Sequence, residues 1–177
     1  LSRTYLLGGG IAHLDWDLHA HRRASTLDGD LGRDLARGGI EAGFSRNWLL
    51  SNGMLINATG LVNADIYRIN SDSRYSNNIG RIAPSAALTL RWPFVRQTGS
   101  AAEVLEPVAQ IVWSRRDLPE VPNEDSRLVE FDEGNLFSLS RYPGEDARER
   151  GLRANLGLSW TRQDAAGWSL GLTAGRV

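Results

Sequence analysis

The chain has 177 residues, 41% of them hydrophobic, with 20 basic side chains, all arginine, against 21 acidic ones. That balance suits one folded domain and removes the electrostatic case for a nucleic-acid binder, which needs a basic stripe to replace counterions along phosphates. Without cysteine there is neither a disulfide framework nor a thiolate metal site, and no apolar run is long enough for a transmembrane helix.

Nineteen glycines and many Asn, Ser and Thr argue against long helices. The apolar residues instead recur with period two, the spacing of a strand with one greasy face. Residues 1–8 show a weak form of it in Leu1, Arg3, Tyr5 and Leu7, and Gly8, Gly9 and Gly10 read as a flexible joint. Residues 10–21 are cleaner: Ala12, Leu14, Trp16, Leu18 and Ala20 share one face, and His13, Asp15, Asp17, His19 and His21 the other. Residues 37–46 separate Ile40, Ala42 and Phe44 from Glu41, Gly43 and Ser45. Residues 53–68 set Met54, Ile56, Ala58, Gly60, Val62, Ala64 and Ile66 against a mixed face with Asn57, Thr59, Asn63 and Asp65. Residues 81–94 oppose Ile82, Pro84, Ala86, Leu88, Leu90 and Trp92 to Ser85, Thr89 and Arg91. Residues 103–114 oppose Leu105, Pro107, Ala109, Ile111 and Trp113 to Glu106, Gln110 and Ser114. Residues 151–162 and 168–177 repeat the pattern with Leu152, Ala154, Leu156, Leu158 and Trp160, then Trp168, Leu170, Leu172 and Ala174; Arg153 and Asn155 lie on the opposite face.

Strands of about ten residues or more are longer than the five or six usual in soluble domains. Ten residues rising about 3.3 Å each, tilted by about 40°, cover about 25 Å, the height of the apolar band on an outer-membrane barrel. The connections alternate as such a barrel requires: long at 22–36, 69–80 and 115–150, short at 47–52, 95–102 and 163–167. Long loops face the cell exterior and short turns the periplasm on this reading. Trp48, Trp92, Phe94, Trp160 and Trp168 then cluster near the short turns and Tyr67 and Trp113 near the long loops, two interfacial girdles that leave Trp16 at mid-strand unexplained. Pro84 and Pro107 each remove a ladder donor, which predicts a bulge, a bend or weak pairing. Seven is an odd count, so residues 1–8 supply an eighth strand or the segment belongs to a larger barrel.

Little catalytic chemistry is visible. His13, Asp15, Asp17, His19 and His21 on one strand face offer a weak case for metal ligation, since His-x-His on a strand can place two imidazoles on one ion, and a hydrated barrel wall, whose titratable groups need no partner, is the plainer reading. Carboxylates for acid–base work can be drawn from Asp15, Asp17, Glu41 or Asp65, but no G-x-S-x-G elbow occurs and no Gly-rich loop opens a helix. Neither an enzyme nor a bound cofactor or metal is expected. The lumen-facing candidates are His13, Asp15, Asp17, His19, Asn57, Asn63, Asp65, Arg91, Gln110, Arg153 and Asn155. The 115–150 loop carries its own apolar residues, so it reads as a folded plug or lid, with Asp125, Phe131, Asp132, Phe137, Arg141 and Asp146 as outward-loop candidates.

At this loop Glu106-Pro107-Val108-Ala109-Gln110, Pro122-Asn123-Glu124-Asp125-Ser126, Glu130 to Phe137, Arg141-Tyr142-Pro143-Gly144-Glu145-Asp146 and Gly151 to Asn155 resemble the C-terminal barrel of the LptD lipopolysaccharide-assembly family. The resemblance implies a large transmembrane β-barrel of the cell outer membrane in Gram-negative bacteria. It receives lipopolysaccharide from a periplasmic Lpt bridge, inserts it in the outer leaflet and holds the lipoprotein LptE inside. The family's disulfide cysteines and periplasmic jellyroll are absent here. The expectation is therefore an all-β, antiparallel up-and-down barrel segment over residues 1–177, an internal piece with a long extracellular loop. The alternatives are a complete eight-strand barrel acting as an anchor or porin-like protein, and a soluble β-sandwich acting on carbohydrate.

Overall fold

The computed structural model describes residues 1–124, 126 and 134–177. Its strands are β1 (Ser2–Leu7), β2 (Gly10–His21), β3 (Asp34–Leu49), β4 (Leu55–Asn70), β5 (Asn78–Arg91), β6 (Phe94–Thr98), β7 (Ala101–Ser114), β8 (Gly151–Asp164) and β9 (Ser169–Arg176). All pairings are antiparallel, in the order β1-β2-β3-β4-β5-β7-β8-β9, with β6 paired to β7; apart from β5 with β7, each joins strands consecutive in the chain. The seven expected strands are present, and the faint alternation of residues 1–8 is an eighth. Gly8 and Gly9, with φ of 56° and 74°, make the two-residue turn with both φ positive that matches strand twist. The joint expected there is thus a tight hairpin. Residues 95–102, expected as a turn, are strand at both ends, β6 up to Thr98 and β7 from Ala101, and only Gly99 and Ser100 turn the chain.

β5 and β6 form one line interrupted at Trp92-Pro93. The register is the same on both sides of the break, Arg91 opposite Val108 and Phe94 opposite Leu105. Trp92 N–H donates to Pro107 C=O at 3.1 Å, and the return bond is missing because Pro107 has no N–H. This is the weak pairing expected at Pro107. Pro84 leaves the β4–β5 register intact, Val62 opposite Pro84, and is felt on its other side. There its C=O accepts Arg115 N–H at 3.2 Å with no return bond, and the β5–β7 ladder ends at the neighbouring pair, Ser85 and Ser114.

The even-numbered face of β2 to β5 is apolar and bare. Leu14, Leu88 and Leu156 are 44%, 46% and 62% exposed, and Ile56 is half-buried, so these four do not share a dry centre. The opposite, polar face is the covered one. Among the described residues there is one sheet and no pairing between β1 and β9. That excludes the β-sandwich, which needs two packed sheets, and the closed eight-strand barrel, which needs first and last strands joined. The small apolar core, Leu35, Tyr67 and Ile69 with Tyr75, Ile79 and Val121, sits at the long-loop margin. Tyr67 is fully buried on the polar side and is not a girdle residue. Near the short turns Trp48, Trp92, Phe94 and Trp168 are exposed, and Trp92 Nε1–H donates to Asn52 C=O across the β3–β4 turn at 3.2 Å.

Candidate functional site

The polar face divides into a covered half near the long loops and an open half near the short turns. In the covered half, Asn63, Asp65, Tyr67 and Ile69 alternate inward along β4, and Arg81 and Ala83 do so along β5. Arg81 stands opposite Asp65 in the register, and both side chains are 3% exposed. Its guanidinium donates to Asp65 Oδ2 at 3.0 and 2.8 Å, to Tyr67 Oη at 2.8 Å, and to the carbonyls of Glu145 and Asp146 at 2.6 and 2.7 Å. A buried ion pair holds only when its remaining donors are satisfied, and here the loop's backbone satisfies them. Asp146 is itself buried and accepts Glu124 N–H at 3.1 Å, with Arg37 and Tyr67 Oη each at 3.4 Å.

Further along the sheet Gln110 joins strand, strand and loop. Its Nε2 donates to Thr89 Oγ1 and to Phe137 C=O, both at 3.0 Å, and its Oε1 accepts Asn155 Nδ2–H at 2.7 Å. Asn155 is fully buried. Gly157 and Gly175 are cross-strand partners, and a Cβ on either would collide with Phe137 or Leu136. The two glycines make a trough that seats the loop's apolar residues, and Leu136 is buried there. Arg153 donates to Glu149 and to Ser138 C=O, and Arg141 pairs with Glu149.

Ion pairs tie this loop to its two shorter neighbours. Arg33, 4% exposed, donates to Glu124 at 2.6 Å, to Asp72 at 2.6 Å and to Asp30 at 2.9 Å. Arg74 donates to Asp72 at 2.9 and 2.8 Å and to Asp30 at 2.6 Å, while Asp28 accepts from Ser73 N–H at 2.8 Å. The Arg74 hydrogen bonds, reinforced by Arg33, outweigh burial and hold the Asp72 carboxyl well below the usual carboxylate range. Asp28 is lowered by Ser73 and Asp30 by Arg74.

The open half is simpler. Asn57 donates to Asn47 at 2.8 Å and Arg91 to Glu106 at 3.0 Å, while Glu103 accepts from Arg96 and Arg162. On β2, Asp17 pairs with Arg37 at 2.6 Å, and His19 is exposed. The three histidines do not converge. His13 lies flat over Gly43, and its ring, Asp15 and Glu41 bring their donor atoms within 4.8 Å of one another. Those three are close enough to share a cation, whereas His19 and His21 only approach each other, ring centroids 5.7 Å apart.

All the lumen-facing candidates thus lie on the polar side, and Asp17, Asn57, Asp65, Arg91, Gln110, Arg153 and Asn155 have side-chain partners there. Of the outward-loop candidates, Phe137, Arg141 and Asp146 turn inward onto the sheet. Asp125, Phe131 and Asp132 lie outside the described residues. Sequence reasoning missed Arg81, Arg33, Gly157 and Gly175. A charged Arg81 at an inward position of a strand, and two glycines at the same inward parity on adjacent strands, were the available signals. Between sheet and loop a cavity of about 610 Å3 remains, lined by Arg81, Tyr142, Asp146, Arg150 and Arg153 among others.

A family model described as LPS transport system D, LptD, matches residues 3–177. The chain belongs to the LptD family. The match begins one residue into β1 and takes in the rest of the sheet, and the family supports a role in lipopolysaccharide transport. No curated protein matches the chain.

Proposed function

We propose that this chain forms part of the wall of an outer-membrane β-barrel that inserts lipopolysaccharide into the outer leaflet. The apolar face meets hydrocarbon, the polar face lines the lumen, and the three long connections lie at the cell exterior, where the 115–150 loop folds inward as a lid. The observation that carries this reading is the inversion of burial: the apolar side chains are bare, and where the sheet is covered it is covered on its polar face, the opposite of a water-soluble sheet. Long strands and strictly alternating connection lengths support it. No bond is broken: the polar wall and lid bound a hydrated path for the glycan, while acyl chains stay on the outer side. By family likeness, the partners are the periplasmic Lpt bridge, the lipoprotein LptE within the barrel and the surrounding outer-membrane lipids.

Paired substitutions on one face of β8 test this reading. An Arg at mid-bilayer costs about 2–4 kcal/mol, so Leu156→Arg should abolish membrane assembly and surface delivery of lipopolysaccharide. Leu158→Met, on the same face, should leave both intact. Membrane fractionation and labelling of surface lipopolysaccharide read the outcome. Normal assembly of Leu156→Arg would mean that this face does not meet lipid.

A further inference from the structure

The apolar face is not uniform. Toward the long-loop margin, large and small side chains alternate across β2 to β5, so that one row reads Leu18, Gly38, Ile66, Gly80. In the next row the order is offset, with Ala64 standing between Ile40 and Ile82. The small residues leave a groove of about 730 Å3 floored by backbone. That lies within the range of about 300–1,000 Å3 typical of small-molecule sites.

Two residues further along the strands, about 7 Å nearer the long loops, the wall turns polar. Arg68 projects from β4 beside Ala36, and a second hollow of about 310 Å3 lies between Arg68 and Arg22. Arg68 is exposed and makes no ion pair among the described residues. Arg22 is 89% exposed and approaches one carboxylate, Asp34, at 3.7 Å. Asp34 is already engaged, accepting Arg23 N–H at 2.8 Å. An apolar groove therefore ends in two outward cations, on the margin that the proposed function assigns to the outer leaflet.

We infer that the groove and these arginines form a seat for one acylated, phosphorylated glycolipid on the outside of the wall. An acyl chain lies along Gly38, Ala64 and Gly80, and phosphate oxygens on the sugar accept from Arg68 and Arg22. Guanidinium suits phosphate because its planar fork donates two parallel bonds. A net-anionic headgroup also complements the rim better than a zwitterionic one, whose ammonium would face the same arginines. The inference rests on the membrane-wall reading and adds to it a binding site outside the lumen.

The test uses the complete protein purified in mild detergent and titrated with diphosphorylated lipid A or with phosphatidylethanolamine, bound lipid being counted by native mass spectrometry. The protein should hold lipid A in preference to phosphatidylethanolamine. Arg68→Gln should weaken retention of lipid A about tenfold, the loss expected when charge-assisted bonds disappear. Gly80→Leu should weaken it at least as much by filling the groove, and the sheet should tolerate it, because a Cβ at Gly80 meets nothing within 4 Å. Gly60→Leu is the control: its Cβ has the same freedom and it lies on the same face, outside the groove, so retention should not change. Wild-type retention by Gly80→Leu, equal loss in Gly60→Leu, or equal binding of phosphatidylethanolamine would each overturn the inference. The Leu156→Arg experiment stands apart from the groove, so failure of the wall reading is distinguishable from failure of the seat.

Discussion

The two halves of the polar face share one sequence pattern and have different fates. Near the long loops, Asn63, Asp65, Tyr67 and Arg81 are sealed beneath residues 118–124 and 134–150. Near the short turns, Asn57, Arg91 and Arg96 pair only with neighbouring strands and stay open to solvent. Alternation decides which way a side chain points. Whether it is then dry depends on a segment from elsewhere in the chain.

The sharpest way to break this comparison is to remove one arginine from each half. Arg81→Ala leaves Asp65 charged and buried without its partner and frees two loop carbonyls, which should cost about 3–5 kcal/mol. Arg91→Ala removes a half-exposed pair with Glu106 and should cost about 0–1 kcal/mol. Denaturant unfolding of the two variants in the same detergent measures both, and equal costs would contradict the division into covered and open halves.

A smaller effect should follow from filling the trough beneath the loop. Gly175→Val forces Leu136 off the sheet, an overpacking cost of about 1–3 kcal/mol. The released loop should be cut by added protease at 134–150 while the strands survive. Gly171→Val, whose Cβ meets only Thr161 and Trp160 at 3.7 Å or more, should leave the cleavage rate unchanged.

The mildest perturbation is acid. Asp28, Asp30 and Asp72 are all held below their ordinary range in the folded protein, so the stability they contribute is present above the unfolded carboxylate value near pH 4. It is lost as pH falls below that toward the lowered folded values. Amide protection in 22–33 and 71–77, meaning exchange corrected for its intrinsic pH dependence, should therefore hold between pH 7 and 5 and fall below about pH 4, with protection in the open half changing less.

Much of the fold was legible because a period of two is a local property. Leu14, Leu88 and Leu156 could be assigned a face from their immediate neighbours, and the length of each gap ordered the connections. The site was less legible because its contacts are not local. Arg81 reads as an inward charge, but nothing near it in sequence shows that the carbonyls of Glu145 and Asp146 will meet it. Gly157 and Gly175 are recognisable as a trough only once β8 and β9 are in register and Leu136 lies across them. Pro84 makes a related point: the side on which its missing donor is felt depends on where β7 stops, about 30 residues further along.

The interruption at Trp92-Pro93 has a mechanical consequence. With one of the two bonds between Trp92 and Pro107 missing, the hairpin of β6 and the first half of β7 is tied to β5 by covalent chain and a single hydrogen bond, and to β8 by its ladder. The crease is therefore one-sided: bending there strains few bonds along β5, while the unbroken β7–β8 ladder still joins the short-turn end of the sheet to the covered half.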